Sequence, residues 1–281
     1  MKISKKFAAI GLAATLVLGI TACGGQNTDA PSTSGPLSSA PATKGTVDKE
    51  LSGKLVIEGS TSVAKIFQEL IDTYMAKNPK VKIEYIGDGS SAGIKAAIAD
   101  TANIGTASRA VKDEEKNQGL EVFQMADDAI AIIVNPANKV QDLTKEQIAK
   151  IYKKEITNWQ DAGGDDAPIV VVARDAASGT REAFETIFEV ADQVKADQEA
   201  AKTGEVKTVV AQNPNAIGYI SLAYSDNTVK NVTVEGLIAT IENVKNGIYT
   251  IKRPFNMVTK GKPDELEQAF IIAKEAVPVK K

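Results

Sequence analysis

Histidine is absent from this 281-residue chain, and cysteine occurs once, as Cys23. Those two scarcities exclude a good deal of chemistry. The usual zinc, copper and haem ligand sets cannot be assembled, and a lone cysteine has no disulfide partner. A carboxylate-only calcium site would need an Asp-x-Asp-x-Asp-Gly loop, which does not occur. Aromatic residues make up only 5% of the chain, and the net charge is −3 with both signs interspersed. No basic block occurs beyond the first few residues, and no basic stripe alternates with aromatics, so nucleic acid is not an expected partner. Nothing calls for a metal or any other cofactor.

The apolar run from Phe7 to Ile20 is shorter than the roughly 20 residues that a membrane-spanning helix needs. With Lys2, Lys5 and Lys6 before it, it reads as a signal peptide over residues 1–22. Its end, Ile20-Thr21-Ala22-Cys23, resembles a bacterial lipobox, which implies a lipid on Cys23. Gly, Ser, Thr, Pro and Ala dominate from Gly24 to about Ser52. Such a stretch cannot offset the entropy of folding, so residues 23–52 are expected to be a disordered tether. The expected location is the outer face of the cell membrane, held by a lipid anchor.

Beyond the tether lie about 230 residues, enough for one large or two medium lobes. Leu55-Val56-Ile57 reads as a buried strand, and Val63 to Met75 places its apolar residues at helical spacing until Asn78-Pro79 stops it. Val81 to Ile86 alternates as a strand, and a small helix runs through Ile94 to Ala99. Asn103 to Thr106, Ala129 to Val134, Ile169 to Ala173, Ile217 to Ser221, Val229 to Val234 and Tyr249 to Val258 read as strands. Helices are expected from Arg181 to about Val190 and from Asp264 to Ala276. Alternating strands and helices imply parallel α/β layers, in which ligands sit beyond the carboxyl ends of strands.

The ends of those strands are alike. Gly59-Ser60-Thr61-Ser62, Gly89-Ser90-Ser91-Ala92-Gly93, Ala107-Ser108-Arg109 and Arg174 with Ala177-Ser178-Gly179-Thr180 each bring hydroxyls beside free backbone N–H groups. That arrangement suits an anion, although serine and threonine are also ordinary helix caps. Gly89 to Gly93 fits the Gly-x-Ser-x-Gly nucleophile elbow, but the histidine base is missing. Ser62-Val63-Ala64-Lys65, Ser225-Asp226-Asn227 and Lys202-Thr203-Gly204 resemble the penicillin-recognising trio. The last of these stands before the second and in a polar stretch without a strand pattern, so the set reads as coincidence. A phosphatase would need a metal cluster or a nucleophile with its base, and neither is evident.

As an ordered set, these junctions resemble the substrate-binding lipoproteins of bacterial phosphate ABC transporters. Ala216-Ile217-Gly218-Tyr219-Ile220, Leu143-Thr144 to Ile151, Ile156-Thr157-Asn158-Trp159 and Lys252-Arg253-Pro254 extend the match over nearly all of the chain after the tether. The resemblance implies an α/β, two-lobed type II periplasmic-binding-protein fold with two crossover strands. One lobe would hold residues 53–131 plus 250–281, the other residues 132–249. It further implies a monomer, without catalysis, that closes on inorganic phosphate and delivers it to ABC transporter permease subunits. The rival ligands are other oxyanions: sulfate, molybdate or tungstate. Carried over onto this chain, the phosphate contacts are Thr61, Ser62, Ser91 and Ser90, Arg174, Ser178, Gly179 and Thr180. Well-known members of the family place an aspartate near Ser108-Arg109, whereas this chain has an arginine there, as a subgroup of the family does. Arg109 is therefore expected either to bind the anion or to neutralise a nearby carboxylate.

Overall fold

The structure, a computed structural model, describes residues 50–273. The leader, Cys23 and the tether as far as residue 49 lie outside the described residues, as does the expected continuation of the closing helix to Ala276.

In chain order the elements are β1 (Gly53–Gly59), α1 (Ala64–Lys77), β2 (Val81–Gly87), α2 (Ser90–Ile98), β3 (Ile104–Ala107), α3 (Asp113–Lys116) and β4 (Leu120–Val134). Then come β5 (Asp142–Leu143), α4 (Lys145–Tyr152), β6 (Val170–Arg174), α5 (Gly179–Ile187), β7 (Gln198–Ala200), α6 (Thr203–Gln212) and β8 (Ala216–Ser221). The chain closes with β9 (Lys230–Asn231), β10 (Thr233–Val234), α7 (Ile241–Lys245), β11 (Lys252–Lys260) and α8 (Glu265–Ala273). The main sheet runs β2-β1-β3-β11-β4-β8-β6-β7, with β9 beside β4.

Local chemistry explains most of these elements. In α1 the buried Phe67, Leu70, Ile71 and Tyr74 recur at helical spacing, the first three each contributing about 1.5–3 kcal/mol on full burial. Asn78 caps the end through its backbone N–H to the Tyr74 carbonyl at 2.9 Å, and Pro79 cannot continue the helix. In α4, Thr144 accepts from the Gln147 N–H while Gln147 returns a bond to the Thr144 N–H, a reciprocal cap.

The fold is two-lobed, of the type II periplasmic-binding-protein class, and β4 with β11 forms its crossover. From Leu120 to Ala129, β4 pairs antiparallel with β11; from Ile130 onward it pairs with β8. The two larger apolar cores lie on either side of that change of partner, beside a smaller cluster of Ile94, Ala97, Ala107, Val111, Leu120 and Val258. One gathers Leu55, Ile57, Phe67, Leu70, Phe255, Met257 and Phe270. The other gathers Ile130 to Val134, Ile148, Tyr152, Trp159, Val171, Phe184 and Tyr219. In the latter, Phe184 stacks on Tyr219 with ring centroids 4.1 Å apart.

Three differences from the sequence reading matter. β4 starts nine residues earlier than the apolar run from Ala129, because its first half is partly exposed and polar residues interrupt the apolar pattern. The expected strand from Val229 to Val234 divides into β9 and β10, which pair with different partners. The segment after Lys202, read as a polar stretch without a strand pattern, is α6, with Val206 and Val210 as its buried stripe.

Candidate functional site

The ends of β1, β3 and β6 and the starts of α2, α5 and α6 converge at the seam between the two cores. Hydroxyl groups from both sides meet there, and nearly all are buried. Ser62 Oγ lies 2.7 Å from Thr180 Oγ1 and 2.7 Å from Thr203 Oγ1. Thr61 Oγ1 is 3.3 Å from Thr203 Oγ1. On the other flank Ser108 Oγ lies 3.2 Å from Thr180 Oγ1 and 3.3 Å from Ser90 Oγ. A hydroxyl rotates freely to donate or accept, so each of these oxygens can turn a proton toward an anion. The helices α2, α5 and α6 also aim their N-terminal ends at this seam, where backbone dipoles favour negative charge.

Close approach requires glycine at two places. Gly89, with φ of +114°, opens α2, and a Cβ there would stand 2.8 Å from the Ala177 carbonyl oxygen. At Gly179 a Cβ would come 2.4 Å from Ser90 Oγ.

Two arginines flank the hydroxyls. Arg174, at the end of β6, donates from NH1 to Thr203 Oγ1 at 3.0 Å, while Nε and NH2 reach the Ala200 and Ala201 carbonyls. Arg253, on β11, donates from NH2 to Thr180 Oγ1 at 3.2 Å and pairs through NH1 with the Asp128 carboxylate. Burial lowers the proton affinity of both guanidinium groups, since desolvation disfavours the charged form. Asp128, which also accepts from Ser221 Oγ at 3.0 Å, is pushed up to about 6 by burial, against the opposing pull of Arg253 and Ser221.

The expected residues are thus distributed unequally. Thr61, Ser62, Ser90, Ser108, Arg174 and Thr180 join one hydrogen-bonded cluster. Ser178 caps α5, its hydroxyl accepting from the Arg181 N–H at 3.2 Å, and Gly179 is the first helical residue. Ser91 is half-buried and gives its backbone N–H to the Ala177 carbonyl at 3.2 Å. Arg109 points elsewhere. Its NH1 and NH2 bind Glu115 at 2.8 and 2.7 Å, and its Nε faces Glu182 at 2.9 Å. Burial opposes its charge, but the two carboxylates more than compensate and hold the proton on.

Sequence reasoning missed Thr203, which bridges Thr61, Ser62 and Arg174, and it gave no role to Arg253 or Asp128. The signal for Thr203 was a Thr-Gly pair with Glu205 and then valines four residues apart, a helix start. Further contacts close the seam: the Tyr224 hydroxyl donates to the Thr61 carbonyl at 2.7 Å, and Lys65 Nζ donates to the Ala223 carbonyl at 2.8 Å. An open groove of about 560 Å³, lined by Tyr85, Lys202, Glu205, Val209 and Tyr224, leads outward from Thr61 and Thr203.

This geometry has known relatives. A family model described as the PBP superfamily domain matches residues 38–272. The phosphate-binding protein PstS of Borreliella burgdorferi is 33% identical over 221 residues, which cover 74% of this chain and 79% of that protein. A Clostridium perfringens structure assigned as a phosphate ABC transporter substrate-binding protein, with bound phosphate, is 44% identical. It superposes with a TM-score of 0.76, covering 79% of this chain and 92% of that one. An ABC-type phosphate transport receptor from Vibrio cholerae is 35% identical with a TM-score of 0.65, covering 79% and 94%. The chain belongs to the PBP superfamily and, within it, to the family of these phosphate-binding proteins.

Proposed function

We propose that this chain is an extracytoplasmic solute-binding lipoprotein that captures inorganic phosphate and hands it to ABC permease subunits. The observation that carries the reading is the buried hydroxyl cluster, built from both sides of the seam and flanked by Arg174 and Arg253. Its chemistry suits a compact tetrahedral anion, and the relatives from Borreliella burgdorferi and Clostridium perfringens are phosphate-binding proteins. Thr61, Ser62, Ser90, Ser108, Thr180 and Arg174 supply the donors, Ser178 and Gly179 set the start of α5, and Ser91 lies at the rim.

The two lobes, each built on one of the two apolar cores, close around the anion and exclude water. Charge-assisted hydrogen bonds are worth about 1.5–3 kcal/mol each, so five or six give about 10 kcal/mol gross. Association losses leave room for about −8 kcal/mol, a micromolar ligand. In this reading the protein binds and releases the anion as a monomer and leaves it chemically unchanged.

Ligand that binds only the folded state stabilises it by about 2.7 kcal/mol when free ligand is 100 times Kd. The melting temperature of protein stripped of bound anion should therefore rise in millimolar phosphate and stay unchanged in sulfate. Equal shifts with both anions would assign the site to oxyanions in general. Cys23→Ser should release the protein from the membrane or leave an unprocessed precursor; normal processing with full membrane retention would remove the lipid anchor from this reading.

A further inference from the structure

Arg253 and Asp128 face each other in register on the two crossover strands, and the pair is almost wholly buried, with side-chain exposures of 2% and 9%. Arg253 is more than half of an ion pair. Its NH1 holds the Asp128 carboxylate, its NH2 reaches Thr180 Oγ1 inside the hydroxyl cluster, and its Nε has no hydrogen-bond partner among the described residues. Thr180 is the same hydroxyl that Ser62 and Ser108 approach. Arg253 also disfavours the charge of Arg174 across the cluster. An anion among the hydroxyls relieves that repulsion, whereas Asp128 competes with it for the Arg253 fork.

We propose that Arg253 is a second cationic contact for the captured oxyanion, and that Asp128 is a resident competitor for its guanidinium that limits affinity so the anion can be released. With Asp128 ionised, the buried side chains Arg174, Arg253 and Asp128 sum to a single positive charge. Ser221 fixes the carboxylate from β8, so the pair is held from both sides of the seam. The assignment rests on the phosphate reading and adds to it a determinant of affinity.

The two partners separate a binding role from a structural one. If the pair only clamps β4 to β11, Arg253→Met and Asp128→Asn act in the same direction. If the proposal holds, they act oppositely. Titration calorimetry of anion-stripped protein with inorganic phosphate, below the melting temperature of each variant, reads the difference. Arg253→Met should weaken phosphate at least tenfold, while Asp128→Asn, which keeps shape and one acceptor, should bind at least as tightly as wild type. Should Arg253→Met fail to fold, Arg253→Gln replaces it with the same expected loss. Equal weakening by the arginine and aspartate variants, or an arginine variant within threefold of wild type, overturns the proposal. Failure of the wild-type protein itself to bind phosphate would instead sink the functional reading on which it rests.

Discussion

Asp128 shows how a single buried group writes itself into the stability of the whole protein. Its carboxyl, ordinarily near 3.8, is pushed up to about 6 because burial outweighs Arg253 and Ser221. A group that holds its proton more tightly when folded favours the folded state as pH falls through that window. Wild-type stability should therefore gain from Asp128 on acidification from about 7 toward 4, and the group should contribute no slope above about 7. Asp128→Asn removes this dependence. In phosphate-free buffer, the difference in urea midpoint between variant and wild type should move in the variant's favour between pH 4.5 and 6.5. A constant difference across that range would mean that Asp128 stays ionised throughout. Which residues reach the site was legible only where the chemistry is local. Ser178-Gly179-Thr180 announces itself as a helix start, because the cap on α5 is written in neighbouring residues. Arg253 and Asp128 are 125 positions apart, and only the register of β4 against β11 makes them partners.

At the scale of elements, the end of β3 and the start of α5 are tied by charge across the seam. Arg109 and Lys112 both face Glu182, at 2.9 and 3.1 Å, while Glu115 holds the rest of the Arg109 guanidinium. Arg109 thus lies beside the hydroxyl cluster without joining it, and in the proposed reading its effect on binding would run through closure. Arg109→Ala should weaken phosphate by at least tenfold, about 1.4 kcal/mol. A double-mutant cycle with Glu182→Ala should return a coupling of about 0.5–3 kcal/mol in binding. Additive losses would make Arg109 a local brace for α3 alone. The elements themselves were readable to different degrees for physical reasons. α1 has a continuous apolar stripe and a proline stop, so it stood out. The first half of β4 is partly exposed, and α6 opens in a polar stretch, so their patterns are diluted. The helix that carries Thr203 was missed for that reason.

For the whole molecule, the arrangement of two cores about one crossover is what makes the hydroxyl cluster useful. Thr61, Ser62, Ser90 and Ser108 come from the side of β1 and β3; Arg174, Thr180 and Thr203 come from the side of β6. Neither set surrounds an anion alone, and their meeting depends on β4 changing partner between Ala129 and Ile130. The alternation of strands and helices made this α/β architecture legible in the sequence, because hydrophobic periodicity survives wherever a face is buried. The depth of the interdigitation at Gly89 and Gly179 was not, since it depends on two distant segments meeting. The central claim is that the seam is a phosphate site, and a calorimetric titration tests it most directly. Protein stripped of bound anion, titrated with inorganic phosphate, should bind one equivalent with micromolar or tighter affinity, and Arg174→Ala should lose at least tenfold. No binding at millimolar phosphate, or an Arg174→Ala variant that binds as wild type does, would contradict the account.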